Sequence, residues 1–167
     1  MFRRDSLALM GPIEILPAGG AADLEAAAEL FQAYAASLPI DLAYQGFKDE
    51  LAALPGKYAP PGGALLLARS GDGREIGCVA MRPLADDGIC EMKRLYVLPE
   101  ARGLGAGGSL IAAIVAIARE AGYSEMRLDT LPTMQAALAM YRRANFQPIP
   151  AYYPTPVAGT IFLGLRL

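Results

Sequence analysis

Hydrophobic residues recur along the chain at two spacings, which predict helices and strands respectively. The segment 21–38 is predicted to be a helix because its apolar residues recur three or four positions apart, at Leu24, Ala28, Phe31, Ala35 and Leu38. A weaker alternation over 12–16 predicts a strand before this helix. A second, shorter helix is predicted over 44–54, ending at Pro55 and Gly56.

Three apolar runs separated by Gly, Pro and Asp turns predict an antiparallel meander. The runs cover 64–68, 75–82 and 90–98. With a hairpin centred near residue 84, Cys78 is expected opposite Cys90. Both are predicted to be buried, reduced thiols that pack in the core.

The second half of the chain alternates helices and strands. After a glycine-rich segment, the pattern predicts a helix to about Ala121, a strand over 126–129, a helix from about Pro132 to about Asn145, a strand beginning at Phe146, and a final strand over 160–167. The final strand is expected at an edge of the sheet, where it could pair with a second copy of the chain in a homodimer.

Length and composition narrow the class of protein. A chain of 167 residues with 54% hydrophobic residues is long enough for one domain, predicted over 11–167 after a flexible leader at 1–10. The formal charge of -2 argues against a nucleic-acid partner. The longest uncharged apolar stretch, 103–118, is too short to span a bilayer, so a cytoplasmic protein without a membrane partner is expected.

Residue types that are scarce or missing exclude several chemistries. The chain has no His and only two Cys, which excludes His-based triads and predicts no metal site. Proton transfer must therefore fall to Tyr, Asp, Glu, Lys, Cys, water or the backbone.

Four glycines stand between a predicted strand and a predicted helix, in the segment Arg102-Gly103-Leu104-Gly105-Ala106-Gly107-Gly108. Backbone without side chains lets N–H groups approach a ligand, and a helix N-terminus attracts anions, so the segment suits a pyrophosphate. The alternative is a turn that only lets the helix pack on the sheet. The glycine spacing, with Asp129 further on, also satisfies a dinucleotide fingerprint, although the antiparallel strands before it argue against a nicotinamide-binding domain.

Two motifs at the correct separation resemble those of the GNAT family, the GCN5-related N-acetyltransferases. The first is Q/R-x-x-G-x-G/A, matched by Arg102 to Gly107 after the strand Arg94–Glu100. The second is N-x-x-A-x-x-L-Y-x-x-x-G-F, whose spacing is matched by Met134, Ala137, Met140, Tyr141, Asn145 and Phe146. Met134 replaces the family's Asn, so no cofactor contact is carried over to it. Asn145 replaces Gly and also accepts a positive φ.

The resemblance implies an α/β (α+β) GNAT fold, with a mixed, mostly antiparallel sheet of six to seven strands and about four flanking helices. It implies an acetyl-CoA-dependent N-acetyltransferase that transfers acetyl directly to a primary amine of a small molecule or peptide. The alternative is a domain of the same shape that binds acyl-CoA without turnover, as a sensor or interaction module.

The resemblance also assigns roles to residues of the site. The backbone around Tyr96 and Val97 is expected to hold the pantetheine and the acetyl carbonyl, with the Val97 N–H stabilising the oxyanion. The N–H groups from Gly103 to Gly108 are expected to hold the pyrophosphate. Tyr141 stands where relatives protonate the departing thiolate, although its spacing alone is typical of a core tyrosine.

The general base is less clearly marked. Glu91 precedes Val97 by six residues on one strand, which predicts that both face the same side. Glu91 could take the proton of the amine or could be an exposed charge paired with Lys93 or Arg94. Asp129 and Glu50 are further candidates. The loop around Tyr152 and Tyr153 either walls the acceptor site or is a rigid connection.

Overall fold

The computed structural model describes residues 11–167, so the leader predicted for 1–10 lies outside the described residues. The strands are β1 (Glu14–Pro17), β2 (Ala64–Arg69), β3 (Glu75–Pro83), β4 (Ile89–Val97), β5 (Glu125–Thr130), β6 (Gln147–Pro148) and β7 (Ile161–Arg166). The helices are α1 (Gly20–Ser37), α2 (Phe47–Ala52), α3 (Ala106–Glu120) and α4 (Gln135–Arg143).

The strands form one mixed sheet in the order β1-β2-β3-β4-β5-β7-β6. In residues 11–167 the β4–β5 pair is parallel and every other pair is antiparallel, which confirms the predicted meander and fold class. The expectation of an edge position for the C-terminal strand is wrong, because β7 lies between β5 and the short β6. The chain after α4 turns back and pairs with the middle of β7, at Leu163 and Gly164.

Each face of the sheet carries a hydrophobic core. Helices α3 and α4 cover one face, where the predicted stripe of α3 is buried: Leu110, Ile111, Ile114, Val115 and Ala118. Helix α1 covers the other face through Ala27, Leu30 and Phe31. Side chains that alternate along β4 and β5 therefore point either to α3 and α4 or to α1.

A β-bulge at Arg94 reverses this alternation within β4. Cys78 of β3 pairs with Tyr96 and Ala80 with Lys93, so one extra residue of β4 lies between the pairs. Arg94 has a φ of 60°, a conformation that costs about 1–2 kcal/mol for a residue with a side chain. Glu50 compensates by binding the buried Arg94 guanidinium with two hydrogen bonds of 2.9 and 3.0 Å.

The bulge overturns the prediction that Glu91 and Val97 face the same side. Before the bulge, Glu91 opposes Arg82 on the face that carries α1. After it, the Val97 side chain packs against the α3 core. The two-residue period on which the prediction relied holds only in an uninterrupted strand.

The predicted pairing of the cysteines is also wrong. Cys78 pairs with Tyr96, and Cys90 pairs with Pro83, because the turn is centred closer to Asp86 than to residue 84. Both thiols are free and buried, on opposite faces of the sheet. Burial raises the pKa of Cys90 to about 12 and that of Cys78 beyond it, so both stay protonated.

Two helix boundaries differ from prediction. The segment predicted as one helix over 44–54 is a 3₁₀ turn at Leu42–Gln45 followed by α2, because Gly46 between them has a φ of 70°. Helix α4 begins at Gln135, and Pro132 lies in the turn before it. Asn145 has the expected positive φ, 69°, where the chain leaves α4.

Candidate active site

The parallel strands β4 and β5 pair over only three residues each. The paired positions run from Ile89 with Glu125 to Glu91 with Arg127, although both strands continue beyond them. From this point the strands separate, and main-chain groups on their facing edges have no strand partner. A gap at the centre of a sheet offers hydrogen bonds to a ligand with amide groups.

A cleft of about 30 Å³ lies where the strands separate. Its lining comes from both faces. From the face of α3 and α4 it receives Met92, Leu95, Thr130, Met134 and Tyr141. From the face of α1 it receives Tyr34, Gln45, Lys93, Arg94 and Asp129.

The main chain of Val97 faces the side of β4 from which β5 has diverged. The Leu98 N–H donates to the Ile76 carbonyl of the segment leading into β3, at 2.8 Å. Because neighbouring N–H groups in a strand point to opposite sides, the Val97 N–H and carbonyl point away from β3, to the side where β5 has diverged. Tyr96, paired with Cys78, directs its main chain to β3 instead. Its ring lies against Tyr34, with the centroids 6.1 Å apart.

The glycine-rich segment forms the N-terminus of α3. Gly105 is the N-cap, with a φ of 85° and no side-chain cap, and the first helical bond runs from the Ser109 N–H to the Gly105 carbonyl. The N–H groups of Ala106, Gly107 and Gly108 are therefore available to a ligand. An anion there would also meet the positive end of the helix dipole.

The four glycines of the segment serve different purposes. A Cβ added at Gly103, Gly105 or Gly108 would meet nothing within 4 Å, so the space beside them is open. A Cβ at Gly107 would lie 2.6 Å from the Met140 sulfur, so this glycine lets α3 pack on α4. Of the four glycines, helix packing therefore explains Gly107 alone.

Two side chains of the segment turn away from the open space. Arg102 donates from Nε to the Val97 carbonyl at 3.1 Å, and its guanidinium lies 5.9 Å from the centre of the Tyr96 ring. The exposed Arg102 thus occupies a main-chain acceptor on the open edge of β4. Leu104 packs against the α3 core, and only its backbone belongs to the turn.

Tyr141 lines the cleft from α4. Its ring packs edge-on against Phe146 at 5.8 Å, and its residue exposure is 6%. Burial raises the pKa of the Tyr141 hydroxyl well above its ordinary value, with Tyr34 and Asp129 adding to the shift. Tyr141 therefore keeps its proton at neutral pH and is a hydrogen-bond donor at the cleft.

Glu91 is buried beside the cleft and already has three partners. Its carboxylate accepts from Arg82 Nε at 2.9 Å and from the Tyr152 hydroxyl at 2.5 Å, and Lys93 Nζ is 3.8 Å away. Glu91 is 2% exposed, so the expectation of an exposed strand charge is wrong. The ion pair is instead internal, and Arg82 is its main partner.

Asp129 lines the cleft itself and accepts a hydrogen bond from the Tyr153 hydroxyl. Tyr152 and Tyr153 thus each bind one carboxylate, Glu91 on β4 and Asp129 on β5, which places the proline-rich loop against the site. No sequence motif singled out Asp129 as a base. A usable signal would be the spacing of 12 residues between Asp129 and Tyr141. This spacing is set by one strand and one helix that a single turn connects.

Gln45 and α2 close the cleft on the α1 side. Gln45 Oε1 accepts from Lys93 Nζ at 3.1 Å and from Arg94 Nη1 at 2.9 Å. Burial lowers the pKa of Lys93, and the Arg94 charge lowers it further. Glu50, one of the candidate bases, is engaged by Arg94.

Over 11–167, no helix has the length and apolar character needed to cross a bilayer. Over the same residues, no three His, Cys, Asp or Glu side chains are grouped so that they could hold a metal ion.

Comparison with known sequences identifies the family. Residues 26–146 match the acetyltransferase (GNAT) family. An uncharacterized N-acetyltransferase of Schizosaccharomyces pombe is 41% identical over 145 residues, which cover 87% of this chain and 89% of the relative. Another, of Dictyostelium discoideum, is 27% identical over 198 residues, covering 83% and 92%.

Solved structures share the fold. A GNAT acetyltransferase from Staphylococcus aureus Mu50 superposes with a TM-score of 0.77 at 20% identity, covering 93% of this chain and 99% of the other. The PaiA N-acetyltransferase of Thermoplasma acidophilum, solved in complex with coenzyme A, gives 0.71 at 18% identity, covering 93% and 99%. Given the family match and the conserved arrangement of strands and helices, this chain belongs to the GNAT family and is an N-acetyltransferase.

Proposed function

We propose that acetyl-CoA is the donor and that its acetyl group passes directly to a primary amine in the cleft between β4 and β5. The observation that carries this proposal is the separation of the strands after Glu91 and Arg127, beside the uncapped N-terminus of α3. An extended pantetheine arm fits such a gap because its amides replace the missing strand partner. The pyrophosphate then reaches the N–H groups of Ala106 to Gly108.

In this proposal the Val97 main chain holds the reacting carbonyl. Attack by a neutral amine on the thioester carbon produces a tetrahedral oxyanion, and the Val97 N–H is the donor that stabilises it. The Val97 carbonyl accepts one hydrogen bond from Arg102, and binding of a pantetheine amide there would compete with or add to this bond. An Arg102 guanidinium displaced from this bond would be free to pair with a phosphate.

The two proton movements fall to Tyr141 and a carboxylate. When the carbon–sulfur bond breaks, Tyr141 donates a hydrogen bond or its proton to the thiolate sulfur, since its hydroxyl is protonated at the cleft. The amine loses one proton to a base. Of the two nearby carboxylates we assign this role to Asp129, which lines the cleft with one hydroxyl partner, rather than to Glu91, which Arg82 already neutralises.

The test is acetyl-CoA-dependent release of CoA, followed with a thiol reagent across a panel of primary amines. Acetyl-CoA at a hundred times its Kd is expected to stabilise the fold by about 2.7 kcal/mol. A protein that binds acetyl-CoA but releases no CoA with any amine would be a sensor and would overturn the proposed transfer. Absence of any thermal shift with acetyl-CoA would overturn the donor.

A further inference from the structure

A second cavity, of about 250 Å³, adjoins the transfer cleft on the face of the sheet opposite α3 and α4. At about 30 Å³ per water molecule it equals roughly eight waters, which is enough for a small organic molecule. Its polar lining consists of Arg82, Asp86, Glu91, Arg127, Tyr152 and Tyr153.

Only a few side-chain contacts separate this cavity from the cleft. Tyr153 lines the cavity and donates to Asp129, which lines the cleft. Glu91 lines the cavity and lies 3.8 Å from Lys93 Nζ, which lines the cleft. A molecule bound in the cavity can therefore reach the reacting atoms if the Tyr153 hydroxyl exchanges Asp129 for another partner.

The charged groups of the cavity differ in how fully they are engaged. Arg127 binds Glu125 through Nε at 2.9 Å, approaches Asp86 at 3.5 Å and stacks over Tyr152 at 5.6 Å. Arg82 donates to Glu91 through Nε alone. Within 11–167, neither terminal amino group of Arg82 makes a hydrogen bond, so Arg82 presents a free pair of donors.

Glu91 is not available to bind a positively charged group of a ligand in the cavity. Its oxygens already accept from Arg82 and Tyr152 and lie near Lys93. A second ammonium in the cavity would also meet the positive charges of Arg82 and Arg127. The cavity thus favours an anionic group, and a single carboxylate suits the guanidinium fork. A dianionic phosphate would bring a second negative charge that Arg82 alone does not balance, since Glu91 and Asp86 line the same cavity.

We propose that the acceptor is a small amine that also carries a carboxylate, an amino-acid-like molecule whose carboxylate binds Arg82 while its amine enters the cleft at Asp129. This inference rests on the proposed function and names the class of its acceptor. Arg82 and Asp129 lie on one face, two strands apart and two positions along. At normal strand spacing their Cα atoms would be about 12 Å apart, and the divergence of β5 places them further apart than this. Their side chains point into the space that the acceptor would span.

The experiment compares amino acids with their carboxamides as acceptors. The panel contains the common amino acids, including glycine, and the longer β-alanine, 4-aminobutyrate and 5-aminovalerate, each paired with its amide. It also contains simple alkylamines and polyamines. CoA release is measured for each. We expect at least one acid to exceed its amide in kcat/KM by about tenfold or more, the value of a charge-assisted hydrogen-bonded pair.

Variants of Arg82 test whether this residue binds the carboxylate of the acceptor. Arg82→Gln should raise KM for the acid about tenfold or more and leave the amide unchanged, while Arg82→Lys, which keeps the charge, should recover part of the preference. Arg74→Gln breaks an exposed ion pair with Glu100 and is the matched control. We expect each Arg82 variant to fold because Glu91 keeps Tyr152 and Lys93 as partners. Melting curves of the variants check this.

The outcomes distinguish this inference from the function on which it rests. Efficient acetylation of amides, alkylamines or polyamines without preference for an acid would overturn the inference and leave the N-acetyltransferase intact. A preference that survives in Arg82→Gln would likewise overturn it. If none of the amines supports release of CoA, the proposed function is overturned, and this inference with it.

Discussion

Glu91 on β4 pairs with Arg127 on β5, and beyond this pair the two strands separate. The same two residues line the cavity on one side of the separation, and Lys93 and Asp129, two positions further along each strand, line the cleft. The point where the parallel pairing ends thus sets the positions of both the cleft and the second cavity.

Tyr141→Phe is expected to lower kcat at least about tenfold and to leave the Kd of acetyl-CoA unchanged. The phenyl ring keeps the packing on Phe146, so only the donor to the thiolate is lost. The control is Tyr123→Phe, which removes a 2.6 Å hydrogen bond to the Gly62 carbonyl and should cost about 1 kcal/mol of stability without lowering kcat. An undiminished kcat in Tyr141→Phe would remove Tyr141 from the mechanism.

Gly105→Ala should weaken acetyl-CoA binding. Gly105 has a φ of 85°, and the Cβ, which meets no atom within 4 Å, costs about 1–2 kcal/mol through the backbone conformation alone. The strain acts on the turn that aims the N–H groups of α3. Gly122→Ala, at the other end of α3 with a φ of 87° and equal space, is the matched control.

Both glycine variants should lose similar stability in thermal melts, but only Gly105→Ala should raise the KM for acetyl-CoA. Equal KM values in the two variants would show that the turn at Gly105 does not hold the coenzyme.

Asp129→Asn and Glu91→Gln separate the two carboxylates. Asp129→Asn removes the proposed base, so kcat is expected to fall at least about tenfold. Glu91→Gln leaves Arg82 and Lys93 without their carboxylate, so its main effect is expected on stability, about 2 kcal/mol in denaturant unfolding. The opposite pattern, a large kcat loss only in Glu91→Gln, would return the role of base to Glu91.

Stability is expected to fall as the pH rises from about 10 to about 12. Burial raises the pKa of Tyr34 from 10.0 to about 12, so the unfolded chain releases this proton first and gains stability relative to the fold. The contribution of Tyr34 is fully present below pH 10 and is lost as the pH passes its folded pKa. Tyr34→Phe should flatten this part of the stability curve by on the order of 2 kcal/mol.

Denaturant titrations at several pH values, with tyrosinate absorbance followed in parallel, measure this effect. The prediction would be contradicted if the free energy of unfolding of Tyr34→Phe fell between pH 10 and 12 as steeply as that of the unaltered protein.

The order of the elements was predictable because each is encoded by local patterns. The stripe of α3, the three-stranded meander and the glycines before α3 all depend on residues close together in sequence. The position of Tyr141 on the helix before Asn145 and Phe146 was also predictable, since the three belong to one family motif on a single helix and its exit; its catalytic role stays a prediction.

Other features of the site depend on contacts distant in sequence. The bulge at Arg94 is held by Glu50, 44 residues away, and it moved Glu91 to the face opposite Val97. The contact between Tyr153 and Asp129 likewise joins a loop to a strand 24 residues earlier. No periodicity records such pairs, so the partners of both carboxylates became visible only in the folded chain.

The lining of the cleft by residues from both faces of the sheet has a further consequence for how the two substrates meet. In the proposed function, coenzyme at α3 and acceptor in the Arg82 cavity approach from opposite faces, so both can be bound together for direct transfer. A single compound that joins coenzyme A to an amino acid would thread the gap between β4 and β5. Such a bisubstrate inhibitor would gain its selectivity from the acceptor half, since the Arg82 cavity lies outside the shared glycine motif.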